Sequence, residues 1–325
     1  MSKYAKISAL CFEHYPYDGE YDRERYKKNI MDYLLRQIER VLPENPDLII
    51  FPEYCTRCDK WTPEERYDFY MNCCGDFEDM MSSLAKKHKV NIAYSAMRIH
   101  DKNSDYPFRN SIIYYDRNGS VAGIYDKCFL VPDEHRIHKV GFGDIPDSLI
   151  ELDFGRVASA ICFDLNDNSL LRRYEELSPD LIVFSSYFKG NVLAGNWAAR
   201  CGAYLAASLV LHDAGRIINP FGTPIALEDN KFHATTTVNF DYTIVHNDDN
   251  QDWRTYKYDA AKAKYGQGFN WINSNGGGVS LLQCDMPDKT IFDVLDEFNI
   301  VRLENYFPLT YKLRKEYYEK IGFSG

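Results

Sequence analysis

The chain has 325 residues, 45% of them hydrophobic, and a formal net charge of -10, so it can bury a large core as one domain plus an extension, and its charge argues against a nucleic-acid surface. No apolar run approaches the roughly 18 residues of a membrane span, and residues 1–4 lack a signal-peptide core. Nine scattered cysteines, an odd number in a chain far longer than a disulfide scaffold, point to a reducing, cytoplasmic setting.

Residues 3–12 alternate and read as a strand, and residues 14–19 as a polar turn. A helix is expected over 23–41, where Ile30, Tyr33, Leu34, Ile38 and Val41 recur at helical spacing before Pro43 and Pro46. Residues 47–53 then form a short apolar strand that ends in Pro52 and Glu53. Strand, helix and strand within about fifty residues is the rhythm of a layered α/β fold. Cys55, Cys58, Cys73 and Cys74 invite a zinc reading, but Cys73 and Cys74 adjoin in an expected helix over 63–89 and point about 100° apart. Scattered free thiols are the expectation. Residues 91–98, 109–115 and 121–125 read as strands, the last two joined as a hairpin at Arg117-Asn118-Gly119, so that Lys127 emerges just past a strand end. Residues 129–143 read as an irregular loop whose His135 and His138 lack a third metal ligand.

The run from Gly155 to Ile161 is rich in small and β-branched residues, as in a strand covered on both faces, and it ends at Cys162. A short helix over 169–177 and a strand over 181–186 follow, the latter leading through Ser185 and Ser186 to Tyr187. Residues 196–203 read as a helix, 204–211 as a small apolar strand, 215–222 as a strand and turn, and 232–238 as a last sheet strand. Past about residue 241 the pattern fades. A surface loop over 246–252, a segment from Trp253 to Lys264, glycines at 276–278 and an amphipathic run over 309–321 make residues 246–325 an aromatic-rich extension. It is expected to pack on the same or a partner subunit, not to form a separate domain.

Three strand ends thus present Glu53, Lys127 and Cys162. A lone cysteine in such a strand is ordinarily a packed core thiol, and a lone lysine a solvated surface residue. Together they are chemically complete for attack on a carbonyl or nitrile carbon: a carboxylate to take the thiol proton, and an ammonium to stabilise thiolate and oxyanion. Other templates are absent, including a Gly-x-Ser-x-Gly elbow, a His-Glu-x-x-His helix, a Walker loop and any internal repeat.

Phe51-Pro52-Glu53, Tyr125-Asp-Lys-Cys-Phe-Leu-Val-Pro-Asp-Glu134 and Ile161-Cys162-Phe163-Asp164 resemble, in order and spacing, the three signatures of the nitrilase, or carbon-nitrogen hydrolase, superfamily. The resemblance covers residues 1–245. It implies an α/β fold built as a four-layer α-β-β-α sandwich, a small-molecule substrate, a homodimer or higher homo-oligomer, and no metal or organic cofactor. It also implies Glu53 as general base, Lys127 as oxyanion-stabilising group, Cys162 as nucleophile and Glu134 as the residue that positions lysine and substrate. Substrate contacts are implied for Tyr54, Ser186 and Tyr187, and an oxyanion-binding amide for Phe163; Asp164 is expected to brace the turn beneath Cys162.

The chain also departs from the pattern. Phe129 stands where many amidase-like relatives have histidine, and residues 165–170 replace an Arg-Phe-Pro-Glu-like segment. Phe163 stands where nitrilases typically have tryptophan, so amide or N-carbamoyl substrates are expected ahead of nitriles. An acyltransferase with the same thioester chemistry and a non-catalytic binding protein are the alternatives.

Overall fold

The structure is a computed structural model that describes residues 3–17, 19–210, 215–227, 232–251, 254–274 and 278–322. The chain divides into two compact units, Met1–Val238 and Asn239–Gly325.

In the first unit, β1 (Tyr4–Leu10) leads to α1 (Arg23–Val41), β2 (Leu48–Ile50) and α2 (Pro63–His88). The strands β3 (Asn91–Ile99), β4 (Phe108–Tyr115) and β5 (Val121–Asp126) follow, then the short helix α3 (Pro132–Arg136). The second half runs through β6 (Ile150–Leu152), β7 (Gly155–Ile161), α4 (Asn168–Leu177), β8 (Leu181–Ser186), α5 (Asn191–Cys201) and β9 (Tyr204–Leu209). It closes with β10 (Arg216–Ile218), β11 (Pro224–Leu227) and β12 (His233–Asn239).

Two six-stranded sheets result, ordered β12-β1-β2-β3-β4-β5 and β11-β10-β9-β8-β7-β6. Local chemistry sets the helices that cover them. Asp22 caps α1 by accepting from Arg25 N, and the helix buries Tyr26, Ile30, Leu34, Ile38 and Val41. Thr62 and Glu65 form a capping box at α2, with Pro63 in the first turn, and Lys89 ends the helix in the left-handed region. Both helices share one apolar cluster with β3 residues such as Ile92 and Tyr94. On the other sheet, α4 buries Leu170, Leu171 and Tyr174, and α5 buries Ala194, Trp197 and Ala198. Fully burying each large apolar side chain contributes about 1.5–3 kcal/mol.

Serines meet backbone carbonyls where the sheets face each other. Ser208 Oγ donates to Leu10 O at 2.6 Å and Ile50 O at 3.0 Å, and Ser185 Oγ donates to Phe51 O at 2.8 Å. Tyr114 OH and Ser159 Oγ meet at 2.7 Å. Small side chains let the backbones approach, and the hydroxyls of Ser159, Ser185 and Ser208 are each hydrogen-bonded. The layers are therefore helix, sheet, sheet, helix.

Strand direction determines where chemistry can collect. β1, β2 and β3 are parallel; β4 reverses and β5 reverses again, so β5 runs with β1. In the second sheet β7, β8 and β9 are parallel, and a parallel bridge between Cys11 and Leu209 aligns β1 with β9. The carboxyl ends of β2, β5, β7 and β8 consequently open on one rim.

In the second unit β13 (Tyr242–His246), α6 (Lys257–Tyr265), β14 (Phe269–Asn273), β15 (Val279–Cys284), α7 (Ile291–Glu297) and α8 (Leu303–Lys320) surround an antiparallel sheet ordered β13-β15-β14. Val245, Tyr258, Phe269, Leu282, Ile291, Val294 and Leu295 form its own core. Sequence alone placed the division after residue 245. The structure instead assigns Tyr242–His246 to the second unit, because β13 pairs with β15 from Tyr242↔Gln283 to His246↔Val279. The segment read as an extension thus has a core of its own. Leu211, Trp253 and residues 276–277, part of the sequence reading, lie outside the described residues. The expected loop over 129–143 contains α3, whose first turn carries Glu134. Among the described residues no helix is long and apolar enough to cross a membrane.

Candidate active site

Buried β7 runs into a 3-10 turn, Cys162–Asn166, and Cys162 itself takes φ 48°. A non-glycine residue in that region costs on the order of 1–3 kcal/mol and persists only where its surroundings hold it. Asp164 does the holding. Its Oδ2 accepts from Ile161 N at 2.9 Å and Tyr125 OH at 2.7 Å, and its Oδ1 accepts from Phe129 N at 2.8 Å. One buried carboxylate therefore ties the Cys162 turn to the end of β5 and to the segment after Lys127. Burial raises the Asp164 carboxyl to about 7, although those three donors favour its ionised form.

Lys127 follows β5, and its side chain is almost wholly enclosed. Nζ donates to Glu53 Oε1 and to Glu134 Oε2, both at 2.9 Å. An ammonium has three N–H donors, so among the described residues one remains for an incoming oxygen. Burial alone would lower the Lys127 pKa, but the Glu53 and Glu134 charges outweigh it and hold the ammonium above its ordinary value. For Glu134 burial acts upward, and the Lys127 charge together with the Lys127, Tyr54 and Asn110 hydrogen bonds holds the carboxyl below its ordinary value.

Glu134 is the more tightly held carboxylate. Oε1 accepts from Tyr54 OH at 2.6 Å and Asn110 Nδ2 at 2.9 Å, and Oε2 also accepts from Val131 N at 2.9 Å. Glu53 Oε1 accepts from Asn110 Nδ2 at 2.8 Å, whereas Oε2 has a long contact from Tyr187 N at 3.3 Å. The less engaged Glu53 oxygen is the one free to exchange a proton. Tyr54, directly after Glu53, takes φ 51°, a second left-handed residue at the site.

Cys162 is half-buried, and its thiol interacts with the Glu53 carboxylate and the Ser186 hydroxyl. Burial, then the Glu53 charge, push the thiol up to about 12 against the pull of Lys127 and Ser186. The resting sulfur is therefore a thiol. Thiolate would form as Glu53 takes the proton, because the two carboxylates already outnumber the single ammonium.

The structure thus brings Glu53, Lys127, Glu134 and Cys162 together, with Tyr54, Ser186 and Tyr187 around them. Phe163 follows in the turn and is 43% exposed. Sequence reasoning missed Asn110, whose amide bridges both carboxylates. Asn110 lies between Arg109 and Ser111 at the polar start of β4, so no local pattern marked it as buried. It also missed His14, which meets Tyr187 OH at 2.7 Å through Nε2 and Asp59 Oδ2 at 2.9 Å through Nδ1. No local pattern marks that loop residue.

A cavity of about 230 Å³ adjoins the site through Tyr54 and Arg57 but does not reach Cys162. Cys74 Sγ donates to Met97 O at 3.1 Å, and Cys55, Cys58 and Cys73 are buried free thiols. Among the described residues no cluster of three or more His, Cys, Asp or Glu side chains could hold a metal ion.

Residues 17–212 match the family model described as Carbon-nitrogen hydrolase. A protein of Schizosaccharomyces pombe described as a probable nitrilase is 29% identical over 174 residues, 52% of this chain and 61% of that protein, so the match spans about three-fifths of the curated relative. Among solved structures, a carbon-nitrogen hydrolase from Helicobacter pylori has a TM-score of 0.60 at 15% identity, covering 73% of this chain and 90% of the other. Saccharomyces cerevisiae Nit3, a member of the nitrilase superfamily, has a TM-score of 0.59 at 14% identity over 73% and 91%. An amidase from Nesterenkonia sp. AN1, solved as a double mutant with acrylamide, has a TM-score of 0.60 at 13% identity over 73% and 91%. At these identities the structural likenesses establish the fold alone.

Proposed function

Because the chain belongs to the carbon-nitrogen hydrolase family, we propose that it hydrolyses a non-peptide carbon-nitrogen bond of a small amide or N-carbamoyl compound through a thioester on Cys162. Glu53 takes the thiol proton as Sγ bonds to the carbonyl carbon, and the carbonyl π electrons move to oxygen. The remaining Lys127 N–H and the Phe163 amide receive that oxyanion. As the oxyanion collapses, the C–N bond breaks and protonated Glu53 delivers its proton to nitrogen, releasing ammonia or an amine. Water then attacks the thioester with Glu53 as base, and the proton returns to the departing sulfur.

The observation that carries this reading is the enclosed Lys127 ammonium, 2.9 Å from each of two carboxylates, one of which also acts on the Cys162 thiol. Phe163 in place of tryptophan supports amides ahead of nitriles. Intact-mass spectrometry of wild type and Cys162→Ala, incubated with amides, carbamoyl compounds and nitriles while ammonia is assayed, tests it. The expected result is an acyl adduct and ammonia release that both require Cys162. Near-normal turnover by Cys162→Ala would sink the assignment.

A further inference from the structure

Asn110 and Lys127 face each other across adjacent strands. The antiparallel register that pairs Ser111 with Asp126 sets Asn110 opposite Lys127, and Lys127 N donates to Asn110 O at 2.8 Å. Residues directly opposite in an antiparallel pair project from the same face, so the Asn110 amide and the Lys127 ammonium enter the site side by side. Both residues are buried, as is Glu53. The amide then places both of its N–H groups on carboxylates. Nδ2 donates to Glu53 Oε1 at 2.8 Å and to Glu134 Oε1 at 2.9 Å.

That amide has one stable orientation. Asn110 Oδ1 is buried with no hydrogen-bond partner among the described residues, at a cost of about 1–3 kcal/mol for an unpaired acceptor. Flipping the amide would set this oxygen against two carboxylates and leave both N–H groups unpaired. The residue therefore gives up one acceptor in order to hold two anions. Packing alone supplies no reason for the exchange, because an apolar side chain of similar size would leave no orphaned oxygen.

Lys127 by itself does not achieve this. Its ammonium is a point charge on a flexible stem, whereas a planar amide fixes two acceptors in direction. One ammonium also faces two carboxylates, Glu53 and Glu134, each at 2.9 Å. Without a neutral donor between them, one carboxylate would relieve the repulsion by turning away or by taking a proton. Burial acts upward on the Glu134 carboxyl, and Asn110 is among the donors, after Lys127 and Tyr54, that hold it below its ordinary value. We propose that Asn110 is a positioning residue of the reaction: it clamps Glu53 Oε1 and Glu134 Oε1, so that both carboxylates stay on Lys127 and Glu53 Oε2 stays free for the Cys162 proton.

This rests on the hydrolase reading, so one measurement needs turnover and the other does not. In the first, the pH dependence of kcat/KM is compared between wild type and Asn110→Ala on an amide that wild type hydrolyses. The variant is expected to lose roughly ten- to a hundredfold in kcat, with the acid limb of its profile about one pH unit higher. In the second, carboxyl NMR of isotope-labelled glutamate, assigned with Glu134→Gln, follows the ionisation of Glu134 in the substrate-free protein. The Glu134 carboxyl is expected to titrate about one pH unit higher in Asn110→Ala than in wild type, roughly a tenfold gain in proton affinity. Asn110→Ser, which keeps one donor, is expected to fall between the two in both measurements, and it is read in place of alanine if that variant fails to fold by far-ultraviolet circular dichroism. Glu134 titrating as in wild type, a rate loss uniform across pH, or wild-type kcat in the folded variant would each overturn the clamp, while Cys162-dependent turnover would leave the hydrolase reading standing. A raised Glu134 titration in a protein that turns over no amide would support the clamp and remove the hydrolase reading alone.

Discussion

At Cys162 the decisive quantity is local charge. Glu53 pushes the thiol up and Lys127 pulls it down, with burial the largest upward influence. Replacing Glu53 with glutamine removes the upward charge while the cation stays. Thiolate absorbance is expected to titrate at lower pH in Glu53→Gln than in wild type, while kcat falls roughly 10²–10⁴-fold for want of the proton acceptor. An unchanged thiol titration would show that the two groups do not interact. Asp164 offers a different test. Its carboxyl is raised from an unfolded value near 3.8 to about 7, so between those limits the folded chain binds more protons than the unfolded one. The stability this group contributes is fully present below about pH 4 and is lost as pH rises through about 7. Asp164→Asn loses an acceptor for one of three buried donors, a cost of about 1–3 kcal/mol. Urea unfolding should show the gap between wild type and this variant narrowing from pH 4 to pH 7; a constant gap would contradict the raised carboxyl.

At the scale of elements, the site depends on how strand ends are held. Lys127 leaves β5 under two constraints: Lys127 N donates to Asn110 O, and Gly143 N donates to Lys127 O, each at 2.8 Å. A Cβ at Gly143 would stand 2.1 Å from the Asp126 carbonyl oxygen, too close for any side chain. Gly143→Ala must therefore shift the end of β5, and misplacement by about 1 Å can cost about a hundredfold in rate. The variant is expected to keep its far-ultraviolet circular dichroism and lose roughly ten- to a hundredfold in kcat. Wild-type kcat would show that Lys127 tolerates the displacement. Arg98 strengthens the same strand end through Asp126, its Nη2 donating to Oδ2 at 2.8 Å and to Oδ1 at 3.0 Å, with Ser111 Oγ on Oδ1 at 2.6 Å. The five-residue α3 was invisible to helical periodicity because one turn holds no repeat to detect.

For the whole molecule, two separate cores predict two responses to damage. Leu282 is fully buried in the second unit, and Leu282→Ala should cost about 2–5 kcal/mol. Hydrogen exchange is expected to quicken across β13 to α7 while β1 to β9 keep their protection. Equal loss of protection in both units would show that they unfold together. Neither unit is stapled by a disulfide among the described residues, and all nine cysteines are free thiols.

The sequence by itself determined the strand–helix rhythm, the apolar strands ending at Glu53, Lys127 and Cys162, and the family. Each of these is a property of contiguous residues: a period, a cap or a short signature. Tertiary structure alone decided that β5, in the antiparallel part of its sheet, opens on the same rim as β2 and β7. It also decided that Asn110 bridges two carboxylates distant in sequence, that the Arg66 Nε is buried with no hydrogen-bond partner among the described residues, and that Tyr242–His246 belongs to the second unit. Those outcomes depend on strand pairing and on which charges lose their water together, and neither quantity exists until distant segments meet.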